Sequence, residues 1–95
     1  MEVRITDIRV LRGQKATRAF VYLEIDGVTI RDFRVMQSKE KPYVKNPFST
    51  YKDYEGNLTF REIITLPATV QTEAHALILS AYFCRLRENE HGKRE

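Results

Sequence analysis

The residues best suited to chemistry are cations interleaved with aromatic rings in the middle of the chain: Lys45, Tyr51, Lys52 and Tyr54. Lysines pair with phosphates and exposed rings stack on unpaired bases, so this pattern points to nucleic-acid binding, although Asp53 and Glu55 dilute the positive charge. Lys39 and Lys41 precede this stretch, and a second basic group, Arg85, Arg87, Lys93 and Arg94, loads the C-terminal end. Cations in the last turn of a helix also complement its dipole without any partner, so this second group has a purely structural reading as well.

Hydrolytic or transfer chemistry needs a nucleophile with a base, a carboxylate pair or a metal cluster, and the sequence announces none of these. His75 and His91 are the only histidines; the first is expected as a packed or interface imidazole and the second as an exposed one. The single cysteine, Cys84, cannot form an internal disulfide and is expected as a small buried hydrophobe. Glycines 13, 27, 56 and 92 are too widely spaced to cradle a phosphate. The expectation is a binding protein rather than an enzyme, with no catalytic residue, no metal and no cofactor.

These side chains must be positioned by one small domain. The chain has 95 residues, 42% hydrophobic and 31% charged, with a formal net charge of +3, as expected of a single globular unit. Residues 1–88 are read as that domain and 89–95 as a frayed charged tail. No apolar run approaches the roughly 18 residues that span a bilayer, and the N-terminal pattern lacks the form of a secretory signal, so a cytoplasmic location is expected.

Val3 and Ile5 alternate, as do Ile8 and Val10, but the two pairs differ in parity; a first strand with a bulge near Thr6-Asp7 is expected. Residues 18–25 alternate most clearly, with Ala19, Val21, Leu23 and Ile25 on one face. Asp26-Gly27 then signals a two-residue type I′ hairpin, which predicts Ile25 opposite Val28, Leu23 opposite Ile30, Val21 opposite Asp32, Tyr22 opposite Arg31 and Phe20 opposite Phe33. Turn-forming residues dominate 37–57, so a long, partly mobile loop is expected there, interrupted by a short strand at Tyr43-Val44. Leu58, Phe60, Ile63 and Ile64 suggest a further strand, and a long helix is predicted from Pro67 to about Glu88, capped by Thr65 or Thr69. The fold class is therefore α+β: a mainly antiparallel sheet of about 4–5 strands with one C-terminal helix.

On the helix, Val70, Ala74, Leu77, Ala81 and Cys84 form the stripe expected to pack on the sheet, with Ile78 at its edge. Leu79, Phe83 and Leu86 form a second apolar set, while Phe20, Tyr22 and Phe33 are expected on the second sheet face. One sheet in so short a chain cannot cover both, so a homodimer is expected, with Phe20, Tyr22, Phe33, Leu79, Phe83 and Leu86 as interface candidates; the alternative is that residues 37–57 fold over this surface within one subunit.

Several ordered segments add a likeness: Asp7-Ile8-Arg9-Val10, Asp32-Phe33-Arg34-Val35-Met36, Tyr43-Val44-Lys45-Asn46-Pro47, and Gly56 through Ile63 ahead of Pro67. Together they resemble the SpoVG (stage V sporulation protein G) family, small bacterial proteins tied to septation and gene regulation. The resemblance implies a dimer of sheet-and-helix subunits that binds DNA or RNA and acts in septation or sporulation control. The chain departs from the family in its lower basic density after the loop proline, in Glu62 where an aspartate is usual, and in the absence of cations from Ala68 to Ala76. The expected phosphate contacts are therefore Lys45, Lys52, Arg85 and Arg87, with Tyr51 stacking. The alternative is a protein-interaction module of the division machinery.

Overall fold

The computed structural model describes residues 2–13 and 15–93, with side chains through Glu88. Its elements are β1 (Val3–Val10), β2 (Thr17–Ile25), β3 (Val28–Gln37), β4 (Pro42–Lys45), β5 (Phe48–Lys52), β6 (Leu58–Glu62) and α1 (Ala68–Lys93). The first four strands form one antiparallel sheet in chain order, and β5 pairs with β6 in a separate two-stranded sheet. The α+β class expected from the sequence is what the chain adopts.

The Asp26-Gly27 turn has positive φ at both positions, 48° and 85°, which type I′ geometry demands. Ile25 faces Val28 and Leu23 faces Ile30, as the turn dictates. Beyond them a bulge between Val21 and Leu23 shifts the register, with Asp32 at φ 68°, so Val21 meets Phe33 and Phe20 meets Arg34. This corrects the expected Val21–Asp32 and Phe20–Phe33 pairs. One extra residue on β3 turns Phe33 to the opposite face, where it is fully buried, so it is a core residue and not an interface one. The bulge foreseen in β1 lies between Ile5 and Asp7.

The segment 37–57 is also more ordered than a loop. It contains β4 and β5, and the Asp53–Asn57 turn closes on Asp53, whose carboxylate accepts from the backbone N–H groups of Glu55 and Asn57 at 2.9 Å each. Pairing with β6 supplies the β5 backbone with partners that local turn propensity gives no hint of. Ile63 and Ile64 fall outside β6.

Pro67 precedes the helix, and its carbonyl accepts from the Gln71 N–H at 2.8 Å. It therefore occupies the capping position itself, while the Thr65 hydroxyl turns to Glu62. The helical backbone continues past Glu88 to Lys93; the side chains of His91 and Lys93, and the whole of Arg94, lie outside the described residues.

The core joins Val21, Leu23, Phe33 and Val35 of the sheet to Ala74, Ile78 and Tyr82 of α1. The buried helical ridge is Val70, Ala74, Ile78 and Tyr82, rather than the expected Val70, Ala74, Leu77, Ala81 and Cys84. Residues four apart form a ridge inclined by about 26° to the helix axis, and a helix lying across a twisted sheet keeps contact along such a ridge. Leu77 is consequently exposed, and so is Cys84, against the expectation of burial. Leu79 and Leu86 pack at the margin of the core. Among the described residues no helix is long and apolar enough to cross a membrane.

Truncating Ile78 to alanine is expected to cost about 2–5 kcal/mol, whereas Cys84→Ser is expected to stay within about 0.5 kcal/mol of the wild type. Urea denaturation of both variants checks which ridge faces the sheet.

Candidate nucleic-acid interface

Because the inner face of the sheet is sealed by α1, alternation sends every second side chain of β1 to β4 outward. One cross-strand row on the outer face reads Arg9, Phe20, Arg34, Lys45, taken from β1, β2, β3 and β4 in turn. The next position along β2 is Tyr22, with the Arg31 guanidinium 5.6 Å from its ring centre.

Rings and cations in this row interlock. The Arg34 guanidinium lies 5.1 Å from the centre of Phe20 and 4.4 Å from that of Phe48. Lys45 Nζ lies 4.8 Å from the centre of Phe48 and 4.5 Å from that of Phe60. Phe48 and Phe60 meet edge to face at 5.3 Å. The outer sheet face and one face of the β5–β6 hairpin are thus joined by stacked cations into a single basic aromatic surface.

Arg34 and Lys45 are direct neighbours on adjacent strands, a like-charge pair that disfavours the sheet. Ring quadrupoles offset part of that repulsion, each exposed cation–π contact contributing roughly 0.5–1 kcal/mol. Carboxylates do not: among the described residues the ion pairs are Arg4–Glu24 and Arg85–Glu88, leaving Arg9, Arg31, Arg34 and Lys45 without an acidic partner. Arg34 Nε is also buried with no hydrogen-bond acceptor. The surface therefore holds cations that form no ion pair within the described residues, although Asp7 and Asp32 stand near its Arg9 end.

The sequence-selected residues divide. Lys45 belongs to this surface, and Lys52 lies on the same face of β5 as Phe48. Tyr51, one residue before, points to the other face of the hairpin, where Arg61 lies 5.4 Å from its ring centre. Arg85 and Arg87 are exposed on α1, in the layer on the opposite side of the sheet. They are not gathered with Lys45. Of the proposed interface residues, Phe33 is sealed in the core, Phe20, Tyr22, Leu79 and Leu86 are half-buried, and Phe83 is exposed. Arg9, Arg31, Arg34, Phe48 and Phe60 were not singled out from the sequence; the signal that could have found them is the alternation of β2, which makes Phe20 and its cross-strand neighbours one surface.

The junction between the two sheets is pinned by side chains. Asn46, buried at 4% exposure between β4 and β5, donates through Nδ2 to Gln71 Oε1 at 2.9 Å. Its Oδ1 can then only accept, so His75 donates from Nε2, at 2.6 Å. Gln71 and His75 are one helical turn apart and grip the same asparagine. The Ile63 N–H donating to the Pro47 carbonyl at 2.9 Å closes the other side. These bonds fix where β5 begins, and with it the position of Phe48 against Arg34 and Lys45. Among the described residues no group of histidine, cysteine, aspartate and glutamate could hold a metal ion.

No protein-family model matches the chain, and no curated protein matches it in sequence.

Burial holds the His75 imidazole below its ordinary value of 6.5, against an opposing pull from the charge of Glu62. The unfolded chain therefore takes up this proton first: the contribution of His75 is intact above about pH 6.5 and declines as pH falls through that value towards the lower folded pKa. His75→Gln is expected to flatten this part of the pH dependence of stability, measured by thermal melts from pH 7.5 to 5.

Proposed function

We propose that the protein is a nucleic-acid-binding regulator similar to SpoVG, acting in the cytoplasm as a homodimer, with its outer sheet face as the contact surface. The observation that carries this reading is the row Arg9, Phe20, Arg34, Lys45, in which Arg34 and Lys45 lie against rings and none of the three cations forms an ion pair among the described residues. Phosphates supply the missing counter-charge, and rings beside them offer stacking area that every base can use. Binding, rather than catalysis, is the function, and the sequence likeness connects it to septation or sporulation control.

The homodimer rests on apolar surface that one subunit leaves in the open. Leu58 and Ile63 are each 62% exposed and Phe83 is 43% exposed. A two-stranded hairpin is marginal by itself, so β5–β6 gains from a covering partner. Two copies would also present two basic surfaces to one strand or duplex, making the second contact intramolecular. The same open apolar surface favours a second reading, a protein-interaction module of the division machinery in which nucleic-acid affinity is incidental.

Four phosphate contacts at roughly 0.7–0.9 each predict a log–log salt slope of about −3 for nucleic-acid affinity, and the double change Arg34→Ala with Lys45→Ala is expected to flatten it by about 1.5. Arg85→Ala with Arg87→Ala, on the other layer, is expected to leave the slope unchanged. Anisotropy titrations over a range of salt check both; no measurable affinity at low salt would favour the protein-interaction module. Sedimentation equilibrium is expected to show a dimer for the wild type and a shift towards monomer for Phe83→Glu.

A further inference from the structure

Two of the three register shifts in the sheet fall at the same level; the third lies between Thr17 and Ala19. In β1 the shift lies between Ile5 and Asp7, and in the β2–β3 pair it lies between Val21 and Leu23, so both flank Tyr22. Bulges re-aim side chains, and here they bring Asp7 and Asp32 to the rim of one concavity of about 280 Å³, lined by these two carboxylates with Arg9, Phe20 and Tyr22. Asp32 holds φ at 68° to stand there.

The chemistry of this lining is specific. Two ring side chains supply apolar contact area, Arg9 supplies donors, and two carboxylates supply only acceptors when ionised. Among the described residues neither carboxylate forms an ion pair or accepts a side-chain hydrogen bond, in contrast to Glu24, which is engaged by Arg4 at the concavity near the Asp26-Gly27 turn. The acceptors beside Tyr22 are therefore unspent. They stand on a surface whose neighbouring positions, Arg34, Lys45 and Arg31, suit phosphates.

We infer that this concavity receives a single unpaired base and that the base is guanine, so that the ligand class is single-stranded, guanine-containing nucleic acid. The inference rests on the nucleic-acid reading above and adds strandedness and base identity to it. Guanine alone among the common bases offers two adjacent donors, N1–H and the 2-amino group, which match a carboxylate in bidentate fashion, together with O6 and N7 as acceptors for an arginine. In a duplex the N1–H edge is occupied by the pairing cytosine, so only an unpaired guanine can present it. The volume is at the low end for ligand pockets and suits one base rather than two.

The test is an anisotropy series with fluorescein-labelled oligonucleotides at one low salt concentration: oligothymidine, the same strand with one central guanine, the strand with inosine, adenine or cytosine in its place, and the matching duplex. The guanine strand is expected to bind roughly tenfold more tightly than oligothymidine and the duplex, with inosine, which lacks the 2-amino group, in between. Asp7→Asn and Asp32→Asn are each expected to reduce the guanine preference while leaving oligothymidine affinity within about twofold or improving it. Asparagine tolerates the positive φ at position 32, and Asp7 is exposed, so both variants are expected to fold; circular dichroism checks this. If no oligonucleotide binds at low salt, the nucleic-acid reading itself fails. If strands bind without guanine preference, if adenine or cytosine substitutes equally, if the duplex binds as well as the strand, or if both variants keep the preference, the base-pocket inference fails and the nucleic-acid reading stands.

Discussion

The structure depends on the burial of one sheet face beneath one helix. Val21, Leu23, Phe33, Val35 and Ile78 are removed from water together, and each fully buried apolar side chain of this kind contributes roughly 1.5–3 kcal/mol relative to exposure. Because side chains alternate strictly along a strand, that burial leaves no freedom on the other side: Phe20, Tyr22, Arg34 and Lys45 must point away from the helix. The basic aromatic surface is thus the obligatory reverse of the core. Its cations crowd each other, and rings rather than carboxylates separate them.

Much of this was legible in the residues. The Asp26-Gly27 turn fixed the first pairs of the β2–β3 hairpin, the parity change between Ile5 and Ile8 located the β1 bulge, and the absence of glycine and proline after Pro67 marked the helix. The β3 bulge has the same signature, a parity change from Val28 and Ile30 to Phe33 and Val35 across Arg31-Asp32, but the register counted outward from the Asp26-Gly27 turn assumes unbroken pairing and passes over it. That single displacement moved Phe33 from the outer face to the core and brought Arg34 opposite Phe20. β5 was hidden by its flanks: strand-favouring Phe48, Thr50 and Tyr51 lie between Asn46-Pro47 and the Asp53–Asn57 turn, and the pairing with β6 that realises their preference is a non-local gain. On the helix, Ile78 and Tyr82 take the buried places expected of Leu77 and Cys84, along a ridge of residues four apart that begins at Val70.

The site was legible only in part. Lys45 was visible as a cation interleaved with aromatic residues, yet its companions come from β1, β2 and β3 and from β5 and β6, and no linear spacing brings them together. Tyr51 and Lys52 look like a unit in the chain and are parted by the pleat. The Asn46, Gln71 and His75 network shows how the parts are kept in register: a buried amide between two strands, held by two residues of the helix, ties the hairpin carrying Phe48 and Phe60 to the body that carries Arg34.

The outward-facing thiol of Cys84 has a practical consequence. It is the chain's sole cysteine and sits on the helix layer, across the sheet from Arg34 and Lys45. A maleimide fluorophore or nitroxide attached there would report on the molecule from behind its basic aromatic face, without any engineered substitution. In a two-subunit assembly the same label would appear twice, and the spacing between the pair of spins would give a direct ruler for how the subunits are arranged.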